Sequence, residues 1–364
     1  MSFVEEAMSQ PDTNSECLVT IVVTQRERFG LARRSLKSLI ETADAPFELI
    51  YVDGRAPRRE RKFLEEATRR DGWRLIRREC YLPPNVARNL AIEQARTKYI
   101  AFVDNDVLFE PGWLSALIDC AEDTGAALVS PVTCIGDPDR PGPQKIHFAG
   151  GTITVSERAG GKYFESRHNY ESELLEEARH RMAREECDCV EFHCVLARRD
   201  LFDRAGPLDE DLRGSAEQYD VSLTAREHGG KVFFEPKAIV TYVVGPPLAW
   251  SELPYFCVRW SDAWAVHARI MFHRKWQFDG NMSGIRFIRS HRLDGFWSLT
   301  RRLETVIGWR LSRWTSRLLF RLFEGVGLRR ALAGTQQYER LHDVHDVNPA
   351  ERPPPELERR APAQ

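Results

Sequence analysis

Between residues 18 and 242 the chain alternates short β-branched runs with amphipathic helical patterns, and this alternation restricts its fold more than any other feature. Residues 18–23 and 47–52 read as strands, and 73–76, 99–103 and 127–130 follow the same pattern. Between them run helical stripes: Leu36, Leu39 and Ile40; Val86, Leu90 and Ala91; Trp113, Leu114, Leu117 and Ile118. Strand–helix alternation at this pitch predicts an α/β fold, a mostly parallel, Rossmann-like sheet flanked by helices on both faces. Residues 156–189 are polar, with Gly160-Gly161 and a charged run, and read as a partly helical excursion near the substrate site. The sheet is expected to resume at 190–197, 232–235 and 239–244.

Composition narrows the function classes. With 364 residues the chain holds one large domain or two ordinary ones, and its net charge of −2 argues against nucleic acid as the main partner. No apolar stretch approaches the roughly 18 to 20 residues of a membrane span. Residues 1–16 are polar and acidic, unlike a signal peptide. The eight cysteines show no spaced framework and read as reduced core thiols, in keeping with a cytoplasmic location. Cys187, Cys189, His193 and Cys194 lack standard zinc spacing, and a strand there would split them between two faces. The expected layout is a tail at 1–16, an α/β domain at 17–245, a basic helical extension at 246–335 and a disordered tail at 336–364.

Chemistry enters where the run Tyr99-Ile100-Ala101-Phe102-Val103 ends in Asp104-Asn105-Asp106. Two carboxylates at the carboxyl end of a strand lie where open α/β sheets bind ligands. Hard oxygen ligands so placed suit Mg²⁺ or Mn²⁺ shared with a diphosphate; the plain alternative is a polar turn after a core strand. Four further features fall in order around this pair. Thr24-Gln25-Arg26 closes the first strand and leads into a helix, a turn that offers backbone N–H groups to a ligand. Asp53, in Tyr51-Val52-Asp53-Gly54, ends the second strand and can accept a base N–H; Arg88 opens a helix and can reach a diphosphate. Downstream come Leu208-Asp209-Glu210 and Glu217-Gln218-Tyr219-Asp220.

These phrases, with Arg88-Asn89-Leu90-Ala91, Phe148-Ala149-Gly150-Gly151, Arg198-Arg199-Asp200-Leu201-Phe202 and Phe234-Glu235-Pro236, resemble the family 2 glycosyltransferases of the GT-A fold. The resemblance implies inverting transfer of a sugar from a nucleotide diphosphate donor to an acceptor hydroxyl, in cell-surface polysaccharide or glycolipid synthesis. By resemblance Thr24, Arg26, Asp53, Arg88 and Asp104 bind the nucleotide, and Asp106 binds a divalent cation, Mn²⁺ or Mg²⁺. The partners so implied are a nucleotide-sugar donor and a saccharide or lipid-linked acceptor.

The chain departs from the family pattern twice. Where the family has Glu-Asp, this sequence has Glu217-Gln218, and an amide cannot take a proton; Glu217 is the first candidate base and Asp220 the second. Where the family often has Tyr-His, with the imidazole on the metal, this chain has Thr241-Tyr242, so water or another side chain must fill that place. Gly150, Gly151, Arg259 and Trp260 are candidate acceptor or sugar contacts. His147, before the Gly150-Gly151 turn, is placed either near the acceptor or in a structural role, and is given no part in the mechanism.

From Phe296 to Phe323 apolar residues recur at three- and four-residue steps, predicting one helix: Phe296, Leu299, Leu303, Ile307, Leu311, Trp314, Leu318 and Leu322. Eleven arginines against three acids between Ile285 and Ala331 make this region basic. It reads either as an interfacial helix on the inner face of a membrane or as a helix packed on the domain or a subunit with its arginines in water. A nucleotidyltransferase would carry a glycine-rich loop after the first strand, which Gln25-Arg26-Glu27-Arg28-Phe29 does not. The remaining rival is a non-catalytic nucleotide-sugar-binding protein derived from a transferase.

Overall fold

The computed structural model describes residues 17–140, 142–158, 160–244, 248–279, 284–301 and 304–341, with 298, 299 and 324–341 described by backbone alone. The expected tail at 1–16 and residues 342–364 of the tail expected at 336–364 lie outside the described residues; helix continues to Leu341, past the boundary expected at 336.

The first half builds a parallel layer. Strands β1 (Val19–Thr24), β2 (Phe47–Gly54), β3 (Arg74–Arg78) and β4 (Tyr99–Asp104) lie in the order β3-β2-β1-β4, all parallel. The connections are α1 (Ala32–Thr42), α2 (Arg58–Asp71) and α3 (Pro84–Ile92). Then follow β5 (Val107–Phe109), α4 (Trp113–Thr124), β6 (Leu128–Gly136) and β7 (Lys145–Phe148). The sheet is mixed beyond β4. There β10 (Glu185–Glu186), β11 (Cys194–Arg198) and β12 (Val232–Val243) extend it in the order β4-β11-β6-β12-β10. β11 runs antiparallel to both neighbours, and β12 runs parallel to β6. The two runs expected at 232–235 and 239–244 form this single strand β12, with a register shift between Glu235 and Ile239.

Side chains of successive strand residues alternate between faces, and the sheet uses both. Tyr99, Ala101 and Val103 of β4 pack with Leu36, Leu39, Leu64, Trp113 and Leu117 of α1, α2 and α4. Ile100 and Phe102 pack on the opposite side with Val86, Leu201 and Val221, from α3, α6 (Asp200–Ala205) and α7 (Glu217–Glu227). The same alternation aims Asp104, two residues after Phe102, toward α3 and α7.

The excursion is partly helical, as expected, through residues 175–181, but it opens with strands that the sequence pattern does not mark. β8 (Gly151–Arg158) and β9 (Gly161–His168) form a separate hairpin, followed by the short α5 (Leu175–Ala178). Its apolar residues Ile153 and Phe164 pack with Tyr219, Phe272 and Phe278, which pays for its leaving the main sheet. Gly151 faces the Cys189 sulfur so closely that a Cβ there would lie 2.6 Å from it. After β12 come α8 (Leu253–Arg259), a π-helical turn at Asp262–Val266, α9 (His267–Lys275), α10 (Gly284–Thr300) and α11 (Glu304–Leu341).

The single helix expected from Phe296 to Phe323 is a helical hairpin. α10 ends at Thr300, α11 begins at Glu304, and Gly308 breaks the helical path with φ 77°. The apolar period survives the break because both helices bury a face against the other. Phe296 packs on Phe320 and Phe323, which one straight helix could not bring together. Buried Ser312 and Thr300 exchange hydrogen bonds with each other's carbonyls, at 3.0 and 3.2 Å. Leu299 and Leu303 lie outside the described side chains.

Phe102 stands edge-on between Phe192 and Phe202, both centroids 5.9 Å away, two residues before Asp104. Phe102→Ala is expected to cost about 3–5 kcal/mol of stability, read from the midpoint of urea unfolding.

Candidate functional site

The carboxyl ends of β1, β2 and β4 bring the first sequence candidates together. Thr24 and Asp104 are register partners across β1 and β4. Asp104 is fully buried and gathers three cationic or imidazole groups: Arg26 Nη1 donates at 2.9 Å, His193 Nδ1 lies at 3.1 Å and Arg88 Nη2 at 4.0 Å. The Thr24 hydroxyl adds a longer contact of 3.5 Å. Burial alone would raise the Asp104 pKa; Arg26, then His193 and Arg88, hold it well below the ordinary carboxylate range.

Asn105, between the two acids, ties down the turn after β1. Its side-chain oxygen accepts from the Arg26 N–H at 2.6 Å and its amide donates to the Arg28 carbonyl at 3.0 Å. The other side of that turn is clamped by Glu27, which accepts from Trp260 Nε1 at 3.1 Å and pairs with Arg259 at 3.2 Å. Burial favours protonating Glu27, but Arg259 and Arg26 bring its pKa down to about 2.

Asp106 is different. Both its carboxylate oxygens are buried and lack a hydrogen-bond partner among the described residues. Burial, reinforced by the Asp104 charge and opposed by Arg26, pushes its pKa well above the usual value. An orphaned buried carboxylate is costly unless something cationic joins it. Ligand atoms of Asp104, Asp106 and His193 lie within 4.8 Å of one another, as do those of His147, Glu191 and His193. His193 is deeply buried, and burial lowers its pKa, which favours the neutral imidazole that metal ligation requires. Tyr242, at the position where the resemblance expects an imidazole, stacks on the His193 ring with centroids 4.2 Å apart. One oxygen each from Asp104 and the unpaired Asp106, with a nitrogen of His193, fit a divalent cation.

A cavity of about 680 Å³ opens beside this cluster. Its wall includes Arg26, Arg88, Arg259 and Arg269, with His147, Glu191, His193, Tyr242 and Trp260. The residues 214–218 at the start of α7 form another part, and Gly284, Phe287, Ile288 and His291 of α10 another. Asp104 and Asp106 sit behind this wall, Asp104 reaching it through Arg26, Arg88 and His193. The volume falls in the range of small-molecule sites, and convergent guanidinium groups suit phosphate. Arg88 is steadied by the Phe192 ring, 3.6 Å from its guanidinium, and by Asn85 at 2.9 Å. Burial lowers its pKa to about 10, so it stays cationic at neutral pH. Glu217 enters the wall because Ala216 adopts a left-handed backbone, φ 68°, just before α7 begins. Such backbone costs of order 1 kcal/mol and is usually held in place by its surroundings.

Several sequence candidates stand elsewhere. Asp53 is fully buried, and its oxygens accept from Gln25 and Ala56 at 2.8 Å and from Arg77; it is absent from the wall. Asp220 is taken by Lys275 Nζ at 2.9 Å and Trp276 Nε1 at 2.8 Å, because the end of α9 reaches it before the cavity does. Gly150 and Gly151 form the turn into β8, Gly150 with φ 73°, and their carbonyls accept from Asn169 and Asp188. Arg259 and Trp260 do line the cavity, while their polar groups hold Glu27.

Sequence reasoning missed Glu27 and Glu191 and assigned His193 no role. Glu191 pairs with His147 at 3.1 Å; His193 and His147 outweigh its burial and lower its pKa to about 2. The sequence offered His193 only as a residue inside the run expected at 190–197; that β11 begins at Cys194 and pairs antiparallel with β4, bringing His193 opposite Asp104, is not visible in the residues.

A family model described as glycosyl transferase family 2 matches residues 20–206. The chain is 26% identical over 228 residues to the uncharacterized protein y4gI of Sinorhizobium fredii (strain NBRC 101917 / NGR234), covering 61% of this chain and 24% of that one. It therefore spans about a quarter of that curated relative. Among solved structures it is similar to the crystal structure of GalNAc-T7 with UDP, GalNAc and Mn2+, with TM-score 0.47, 15% identity and coverage of 77% of this chain and 55% of that chain. For S. aureus TarS the values are TM-score 0.42, 14% identity, and 78% and 43% coverage.

Glu27→Ala would leave Arg259 buried without its carboxylate. A loss of about 3–5 kcal/mol in urea unfolding is expected, as for other broken buried pairs.

Proposed function

This chain belongs to glycosyl transferase family 2, and on that premise we propose that it moves a sugar from a nucleoside diphosphate donor to an acceptor hydroxyl with inversion at the anomeric carbon. The observation that carries the reading is the pair of partnerless oxygens on buried Asp106, set beside Asp104 and His193 at the edge of an arginine-lined cavity.

In this reading Asp104, Asp106 and His193 hold a divalent cation. Such an ion, when bound, offsets the charge that develops on the departing diphosphate. Arg26, Arg88 and Arg259 supply the remaining positive charge. Their guanidinium groups are already fixed by Asp104, Phe192 and Glu27, so little reorganisation is needed when charge shifts onto the leaving group. Glu217 takes the proton of the acceptor hydroxyl as its oxygen attacks the anomeric carbon from the face opposite the diphosphate. It is favoured over Asp220 because it lines the cavity while Asp220 is bound by Lys275 and Trp276. The acceptor, a saccharide or a lipid-linked molecule, enters from the side of Glu217. Asp53 in this reading orients the turn after β2 through Gln25 and Ala56, ready to receive a nucleobase if Arg77 yields.

A nucleoside diphosphate is expected to raise the melting temperature, and more so with Mn²⁺; at a hundredfold excess over its dissociation constant the gain is about 2.7 kcal/mol. Glu217→Gln is expected to keep this binding and lose about 10²- to 10⁴-fold in transfer rate. Retained binding with no transfer in the parent protein would favour the non-catalytic alternative. Equal rates in parent and variant would reject Glu217 as the base.

Asp106→Asn tests the cation ligands. The folded, metal-free protein holds its Asp106 proton to higher pH than the unfolded chain does, so ionising that carboxyl opposes folding as pH rises. The amide removes this penalty. The variant is therefore expected to be at least as stable as the parent without metal, and to lose the Mn²⁺-induced rise in melting temperature. In the parent that rise should shrink as pH falls from mildly alkaline to mildly acidic, because the cation must displace the same proton.

A further inference from the structure

α11 carries two faces that the fold of the protein leaves in water. Its inward face is complete: Ser312 and Ser316 are buried, and Leu319, Phe320 and Phe323 pack with Phe256, Ile288 and Phe296. The outward face nevertheless carries Leu311, Trp314, Leu318 and Leu322, with 48, 60, 42 and 60% of their surface exposed. These four recur at steps of three, four and four residues, which at 3.6 residues per turn makes one stripe running about 16 Å along the helix. Arg310, Arg313, Arg317 and Arg321 are each one residue earlier and form a parallel, exposed stripe about a quarter-turn away. Arg310, Arg317 and Arg321 have no carboxylate partner among the described residues, and Arg313 meets Asp294 only at 3.9 Å.

We propose that this face of α11 seats the protein on the surface of an anionic phospholipid bilayer, with the Leu/Trp stripe in the headgroup–acyl boundary and the arginine stripe on the phosphates. An amphipathic helix with leucine and tryptophan on one face and arginine beside it is built for that boundary. No helix among the described residues is long and apolar enough to cross a membrane, so the contact is with the surface. Charge complementarity argues against a second copy as the occupant. Residues 284–323 carry nine arginines and only Asp294 and Glu304 as acids, so another α10–α11 hairpin offers the arginines little, whereas a leaflet of anionic lipid offers a continuous sheet of phosphate. Gly308 sets the direction of the stripe, since its φ of 77° redirects the chain before the helix lays down on α10. α10 in turn forms one wall of the cavity, so docking places the cavity beside the bilayer. The proposal stands apart from the transfer chemistry and is tested without it.

The test is cosedimentation of the full chain with phosphatidylcholine vesicles, with and without phosphatidylglycerol, across a range of salt. Binding is expected with phosphatidylglycerol only, weakening as salt rises. Trp314→Glu/Leu318→Glu should abolish it at unchanged melting temperature. Replacing Arg310, Arg313, Arg317 and Arg321 by Gln should weaken it by about fivefold per arginine. Absence of parent binding, equal binding to neutral vesicles, or binding by the Glu variant as tight as the parent's would overturn the proposal. So would a concentration-dependent dimer in analytical ultracentrifugation that the Glu variant abolishes, with no vesicle binding, since the stripe would then be a subunit interface.

Discussion

The charge on Asp104 is the constraint around which the rest of the site is arranged. A carboxylate with no access to water survives only if cations and donors surround it. Here Arg26 comes from the turn after β1, Arg88 from α3 and His193 from the lead into β11. Three separate parts of the chain are therefore held to one atom group at the carboxyl end of β4. Each partner also faces the cavity, so the interactions that neutralise a buried acid are the ones that line a ligand site with positive charge.

A second buried charge extends this arrangement into the C-terminal region. Glu27, next to Arg26, is held by Arg259 and Trp260 at the end of α8. Tyr255, on the same helix, donates to the carbonyls of Gln25 and Leu82. The region after β12 is thus bonded to the turn that carries Arg26 rather than merely appended to the sheet. Arg259 and Trp260 have a structural duty that their place in the cavity wall alone would not reveal, and changing either disturbs Arg26 as well.

Much of the fold was legible because its causes are local. Alternating β-branched and amphipathic segments marked β1 to β4, β6 and the helices between them, and an apolar run ending in Asp104-Asn105-Asp106 marked the site. The failures have equally physical causes. The β8–β9 hairpin is polar because its outer face meets water, so it showed no strand pattern. The junction of α10 and α11 falls inside the run from Phe296 to Phe323 that reads as one helix, because two helices burying faces against each other keep the same apolar period. Among the candidate residues, Arg26, Arg88, Glu217, Arg259 and Trp260 line the cavity, while Asp53, Asp220, Gly150 and Gly151 bond to other parts of the chain in this structure.

By itself the sequence determined most strands and helices of the first half, and that two acids close a buried strand, because hydrophobic period and turn chemistry act over a few residues. It could not determine what meets those acids. His193 lies 89 residues from Asp104 along the chain, and Glu27 lies 233 from Trp260. Those meetings follow from the antiparallel entry of β11 and the docking of α8, which were decided by the packing of the whole sheet and by the cost of leaving the charges of Asp104 and Glu27 buried without partners.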